Sequence, residues 1–181
     1  MNTDIPKPII ILVRTQLPQN IGSTARAMKN CGLSELRLVE PREKWPNDGA
    51  NSMAAGADDI LKNIKVFDNI PSALSDVIHV FSLTARNRDI TKIEIGPDYA
   101  AKKIYENSTK SEKSAILFGP EQSGLTNDEI AYSNFLVKVP MVENFSSLNL
   151  SQAVLLMSWE WRKLFLKNYL SEPEYRKISE P

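Results

Sequence analysis

The sequence predicts an α/β domain built on a largely parallel sheet, and three observations carry that expectation. Short runs rich in β-branched residues alternate with helical patterns along nearly the whole chain. The runs are apolar throughout, which suits strands covered on both faces. At 181 residues, with 42% hydrophobic and 24% charged residues, the chain has the size and composition of one domain with a substantial core.

The first expected strand is PIIILVRT, 8–15, followed by a helix over NIGSTARAMKNCG, 20–32, whose Gly32 stands where a left-handed glycine ends helices. LRLVEP, 36–41, is the second strand, NSMAAGADDILKN, 51–63, a second helix, and IKVF, 64–67, the third strand. A short helix over PSALSD precedes the fourth strand, VIHVFSLT, 77–84. PDYAAKKIYEN, 97–107, then leads to AILFG, 115–119, and TNDEIAYS to FLVKVP, 135–140. The last helix, NLSQAVLLMSWEWRKLFLKN, opens on Asn149 with Gln152 three residues on, a capping pair. The domain is expected over 1–168, and the polar, twice proline-broken segment 169–181 is expected to be an extension or linker.

On the last helix, at about 100° per residue, Leu150, Ala153, Val154, Met157, Trp161, Leu164 and Phe165 form one broad apolar face. Leu155, Trp159 and Leu166 fall on a different side. A surface helix needs one apolar face, so the second stripe is expected to bury against a two-fold partner subunit.

Twenty-two basic residues balance 22 acidic ones, so an anionic partner has to be held by a local cluster. One cysteine, Cys31, excludes an intramolecular disulfide framework. It also excludes a cysteine-rich zinc site, and one histidine, His79, leaves little for a histidine-based metal or triad site. Cys31 reads as a packed side chain, His79 as a structural residue, and Asp58 with Asp59 as a polar helix face. No segment reaches the roughly 20 apolar residues needed to cross a bilayer, and a soluble cytoplasmic protein is expected.

Residues that follow parallel strands share one rim, where α/β proteins bind ligands. That rim carries Arg14, Arg42, Arg86, Arg88 and Glu121, with Arg26 and Lys29 on the helix after the first strand. Each basic residue alone is ordinary surface; together they suggest a site for phosphates or another polyanion. No G-x-G-x-x-G occurs. GPEQSGLT, 119–126, matches the glycine spacing of a P-loop but has Leu125 where the lysine belongs, which disfavours a nucleoside triphosphatase. The two glycines suggest a tight loop with close backbone approach.

Three separated segments, NIGSTARAMKNCG (20–32), ILFGPEQSGL (116–125) and VPMVENFSSLNLSQAV (139–154), resemble in order and spacing the signature motifs of the SpoU branch of the SPOUT RNA methyltransferases. ARAMKNCGL, LVEPR, AAGADDIL and TARNRD are most similar to the enzymes of that branch that methylate the ribose 2′-hydroxyl at position 32 of the tRNA anticodon loop. The resemblance implies a homodimeric α/β fold with a C-terminal deep trefoil knot, a departure from the usual unknotted chain. It implies S-adenosylmethionine as methyl donor, S-adenosylhomocysteine as product, and no metal. The donor pocket would take Leu83, Thr84 and Ala85 after one strand and Phe118, Gly119, Glu121 and Gly124 after another. Val139, Pro140 and Met141, with Ser147, Leu148 and Asn149, would complete it. Asn20, Arg26, Glu121, Ser147 and Asn149 match the motif positions tied to catalysis. Arg14, Arg26, Lys29, Arg42, Arg86 and Arg88 are the expected RNA contacts. Pro120 departs from the arginine often seen before the motif's glutamate.

Methyl transfer is an in-line displacement, so orientation of the ribose oxygen should dominate the protein's contribution. A guanidinium seldom gives up its proton, so Arg26 is expected to clamp phosphate and stabilise developing oxyanion charge rather than act as general base. Asn20 is expected to hold Arg26 or the ribose, and Glu121 to anchor the loops or the arginine. Competing expectations are an rRNA methyltransferase, a non-catalytic RNA-binding protein of the same fold, and a small-molecule nucleotide enzyme, the last disfavoured by the absent glycine fingerprint.

Overall fold

The computed structural model describes residues 5–85, 91–142 and 148–166. Among these residues seven strands form one sheet: β1 (Ile9–Val13), β2 (Leu36–Val39), β3 (Lys65–Phe67), β4 (His79–Leu83), β5 (Ile93–Ile95), β6 (Ser114–Phe118) and β7 (Phe135–Val137). Every pairing is parallel, in the order β3-β2-β1-β6-β4-β7-β5. Among the described residues, six helices lie between strands, α1 (Pro18–Asn30), α2 (Asp48–Ala54), α3 (Asp58–Lys62), α4 (Ile70–Ala73), α5 (Pro97–Thr109) and α6 (Asn127–Ile130), and α7 (Leu150–Lys163) follows the last strand.

The continuous apolar runs serve both faces of the sheet, as the period of two requires. Ile10 and Leu12 of β1 join Phe81, Ile116, Phe118 and Val137 in a core completed by α1, α2, α3, α5 and α7. Ile9, Ile11 and Val13 point the other way, into a smaller core with Val80, Leu117, Leu136, Ile70 of α4 and Ile130 of α6. The register sets Leu12 beside Phe118 and Leu83 beside Val137, so the carboxyl ends of the central strands share one rim. The chain leaves β1 toward β2 and leaves β6 toward β7, on opposite sides. The crevice between the adjacent strands β1 and β6 is therefore a topological switch point, where such sheets bind ligands.

Several expected boundaries move. The first two strands stop early because Arg14 and Glu40 take left-handed conformations, φ 49° and 45°, which end strand pairing. The helix expected over 51–63 is two: Ala55 (φ 45°) and Gly56 (φ 87°) are both left-handed, and two such residues in succession break a right-handed helix between α2 and α3. β5 had no sequence signature. Its three residues, IEI, are mostly exposed and gain their place by backbone pairing with β7. Gly32 follows α1 with φ 79°, as expected. Gly22 lets α1 approach α2 closely, since a Cβ there would lie 2.0 Å from the carbonyl oxygen of Ala50.

One buried ion cluster was not foreseen. Arg37 in β2 is 2% exposed. Its guanidinium donates to Ala73 O at 2.6 Å, to both carboxylate oxygens of Asp76 at 2.6 and 3.0 Å, and to Glu35 Oε1 at 2.6 Å. Hydrogen bonding to Arg37, assisted by Lys113, holds the Asp76 carboxyl well below the usual carboxylate range. A buried guanidinium is tolerated because its donors are satisfied. Cys31 is buried, which pushes its thiol up, and His79 pairs through Nε2 with Glu112 Oε2 at 2.7 Å; both are structural, as expected. Asp59 is an exception to the idle polar face, for it binds Lys29. No helix among the described residues is long and apolar enough to cross a membrane.

α7 carries the expected capping box, with Asn149 accepting from Ser151 N and Gln152 reaching back to Asn149 N. Its buried face comprises Leu150, Ala153, Val154, Met157, Ser158 and Trp161. Leu164, assigned to that face from the sequence, is instead 38% exposed, one residue beyond the end of the helix at Lys163.

Candidate active site

The loops after β4, β6 and β7 and the start of α7 enclose a cavity of about 270 Å³ at the carboxyl rim. Its walls come from Leu83, Thr84, Ala85, Phe118, Val139, Met141 and Leu148, all expected from the sequence, and from Leu150 and Ala153 of α7, which were not. Residues 119–125 form a continuous edge, so Pro120, Gln122, Ser123 and Leu125 also line it beside the expected Gly119, Glu121 and Gly124. The missed residues follow from the neighbours of the motif residues: α7 enters the site with its first turn, and a tight loop presents all its members. Pro140 is displaced from this cavity; it lines a neighbouring recess with Glu94, Gly96 and Lys138.

Glycine gives the edge its shape. A Cβ on Gly119 would lie 2.3 Å from Leu125 N and 2.4 Å from Gly124 C, so the two ends of the loop touch there through backbone alone. Gly124 takes φ 66°, and its N–H donates to Pro120 O at 2.8 Å.

Three signature segments are linked in a chain of hydrogen bonds through Asn20. Glu121 Oε1 accepts from Asn20 Nδ2 at 2.7 Å, and Oε2 accepts from Gln16 N at 3.0 Å. Asn20 Oδ1 in turn accepts from Asn149 Nδ2 at 3.4 Å. Glu121 thus ties the β6 loop to the start of α1, and Asn20 passes the link to the start of α7. Of the two roles expected of Asn20, holding Arg26 or the ribose, the first is not made, because its amide bonds Glu121 and Asn149. Asn20 is buried, and its satisfied amide fixes the geometry of the knot of loops.

The basic rim divides. Arg26 and Arg42 are exposed, and Arg26 makes no hydrogen bond or ion pair among the described residues. Arg26 does not line the cavity; it stands on α1 outside it. Lys29 is committed to α3, donating to Asp59 Oδ1 at 2.6 Å and Gly56 O at 2.9 Å. Arg14 is paired with Glu129. Of the six expected RNA contacts, Lys29 and Arg14 are thus each paired with a carboxylate from a neighbouring helix, Asp59 of α3 and Glu129 of α6. Arg86, Arg88 and Ser147 lie outside the described residues.

The SpoU rRNA Methylase family model matches residues 7–159. The chain is 41% identical over 157 residues to the tRNA (cytidine/uridine/adenosine-2′-O-)-methyltransferase TrmJ of Pseudomonas aeruginosa (strain UCBPP-PA14), covering 87% of this chain and 61% of that protein. It is 39% identical over 170 residues to the tRNA (cytidine/uridine-2′-O-)-methyltransferase TrmJ of Sodalis glossinidius (strain morsitans), covering 94% and 66%. The crystal structure of TrmJ from Z. mobilis ZM4 superposes with a TM-score of 0.83 at 46% identity, over 92% of this chain and 71% of that one. The chain thus spans a little under two thirds of the length of the two curated relatives.

Proposed function

This chain belongs to the SpoU methylase family, and from that premise we propose that it transfers a methyl group from S-adenosylmethionine to a ribose 2′-hydroxyl of RNA. The proposed target is the cytidine or uridine at position 32 of the tRNA anticodon loop. The observation that carries the reading is the hydrogen-bonded chain Glu121–Asn20–Asn149, which joins all three signature segments beside a cavity at the sheet's carboxyl rim. The relatives named for tRNA 2′-O-methylation support the substrate class.

The cavity residues fit the methyl donor. Leu83, Phe118, Val139, Met141 and Leu148 offer apolar walls to an adenine ring, while the backbone of 119–125 approaches closely enough to offer N–H and carbonyl groups to its polar edge. S-adenosylmethionine supplies a methyl carbon made electrophilic by its sulfonium. The chain's own work is orientation. Glu121, Asn20 and Asn149 hold the loops that form the cavity mouth, so the nucleophile's approach is preset before RNA arrives. Arg26, exposed and outside the cavity, serves the RNA side: its guanidinium clamps a phosphate and stabilises negative charge developing on the ribose oxygen. The ribose proton leaves to solvent or a phosphate oxygen rather than to Arg26, which lacks a vacant lone pair.

Titration calorimetry with S-adenosylmethionine in the presence of a chelator tests the donor assignment. Saturable binding is expected, because the cavity presents no cluster of metal-ligating side chains among the described residues. Binding abolished by the chelator, or no binding, would contradict it.

The protein is also proposed to act as a homodimer through α7. Leu155 is 43% exposed and Trp159 half-buried, on the helix flank away from the main core. A partner would remove that apolar stripe from water. Trp159→Glu should yield monomers in sedimentation velocity and lose methyl transfer; an intact, active dimer would place the interface elsewhere.

A further inference from the structure

The methyl-donor reading of the cavity leaves Arg14 and Glu129 without a part, since both lie outside the three signature segments and outside the cavity lining. We propose that they are a positioning pair, which locks the 119–126 loop against the segment leaving β1 and thereby sets the shape of the methyl-donor cavity.

Glu129 in α6 is a carboxylate only 8% exposed. A buried carboxylate must be paired, and Arg14 supplies the charge in a two-pronged contact: NH1 meets Oε1, and NH2 meets Oε2 at 3.2 Å. The same carboxylate accepts from Thr126 N at 2.6 Å, while Thr126 Oγ1 accepts from Glu129 N at 3.3 Å. Glu129 therefore fixes the far end of the cavity loop and anchors it to Arg14. The near end is fixed by Glu121, which accepts from Gln16 N and Asn20 Nδ2. Two carboxylates from the β6 side thus stitch both ends of one loop to one short stretch of chain, residues 14–20. Leu125, between the stitches, is 2% exposed and lies against the backbone of Gly119.

Consider the pair broken. Glu129 would be left as a buried charge without a counterion and would turn toward water, giving up its bond to Thr126 N. Residues 125 and 126 would then move, and because Gly119 touches Leu125 N through backbone, the cavity edge would move with them. The loss would appear in donor binding. RNA affinity would change little through Arg14, because its charge is already neutralised by Glu129 and little counterion release depends on it.

The test uses the full chain with S-adenosylmethionine and tRNA. Arg14→Gln should weaken donor binding roughly tenfold, leave the salt dependence of RNA binding unchanged, and show a far smaller loss in the Arg14→Lys variant. Glu129→Gln should give a similar loss, and the double variant no further one, since the two act as a unit. Unchanged donor affinity with a flatter salt slope would make Arg14 an RNA contact, and unchanged affinity with only a lower melting temperature would make the pair a fold-stabilising bridge; either overturns the proposal. Wild-type protein that fails to bind the donor would overturn the cavity reading itself, and this inference with it.

Discussion

Arg26→Ala should reduce methyl transfer by about 100-fold or more while leaving S-adenosylmethionine affinity within about twofold of wild type. The two halves of that expectation come from where Arg26 stands. It is exposed on α1, makes no bond or ion pair among the described residues, and does not line the cavity, so nothing in donor binding depends on it. A free guanidinium at a polyanion site is instead available to a phosphate and to the charge that grows on the attacking oxygen, an interaction strongest in the transition state. Arg26→Lys should recover only part of the rate, because a point charge does not replace a planar fork. Calorimetry for the donor and single-turnover methylation of tRNA check the two halves separately. Equal losses in both would assign Arg26 to the donor pocket.

Gly119→Ala should abolish measurable donor binding, a loss of about 100-fold or more. One methyl group is sufficient because of what it meets: backbone atoms of Leu125 and Gly124 at 2.3 and 2.4 Å, neither of which can turn aside as a flexible side chain would. The loop must open by an ångström or more, and it forms one edge of the cavity. Overpacking of this kind also costs stability, about 1–3 kcal/mol, so a thermal melt has to accompany the calorimetry. Near-normal affinity in a folded variant would show that the close approach of the loop ends does not shape the donor site.

The parts of the fold legible in the sequence were those written in long apolar runs and in chain punctuation. Buried strands such as IIILV and SAILF, the cap of α7 at Asn149 and the terminating Gly32 each carry local chemistry that leaves few alternatives. β5 was not legible, because three mostly exposed residues acquire their strand only from β7, which lies 40 residues later. The left-handed pair Ala55-Gly56 was also hidden, since alanine there favours helix by propensity and yields to tertiary packing. At the site, the resemblance named Leu83, Phe118, Gly119, Glu121, Val139 and Leu148, which do line one cavity, and the parallel register explains why they meet there, whereas Asn20, Arg26, Pro140 and Asn149 do not line it. It could not tell which cations of the rim stay free. Lys29 and Arg14 are paired with Asp59 and Glu129, residues 30 and 115 positions away, and contacts of that range leave no periodic trace. The fold itself is the knotted SPOUT-type arrangement of the family, a topology that hydrophobic patterning alone gives no means of finding.

Exposed Arg26 outside the cavity, with Glu121 holding the loops inside the rim, is the basis of the proposed division between an RNA side and a donor side of one active site. The most direct test of that account is mass spectrometry of nucleosides and anticodon-loop fragments from unmethylated tRNA incubated with the full chain and S-adenosylmethionine. The account predicts a 2′-O-methylated cytidine or uridine at position 32, formed in step with S-adenosylhomocysteine and absent with Arg26→Ala. Methylation on a base, methylation of ribosomal RNA but not tRNA, or no methylation by protein that binds both donor and tRNA would contradict it.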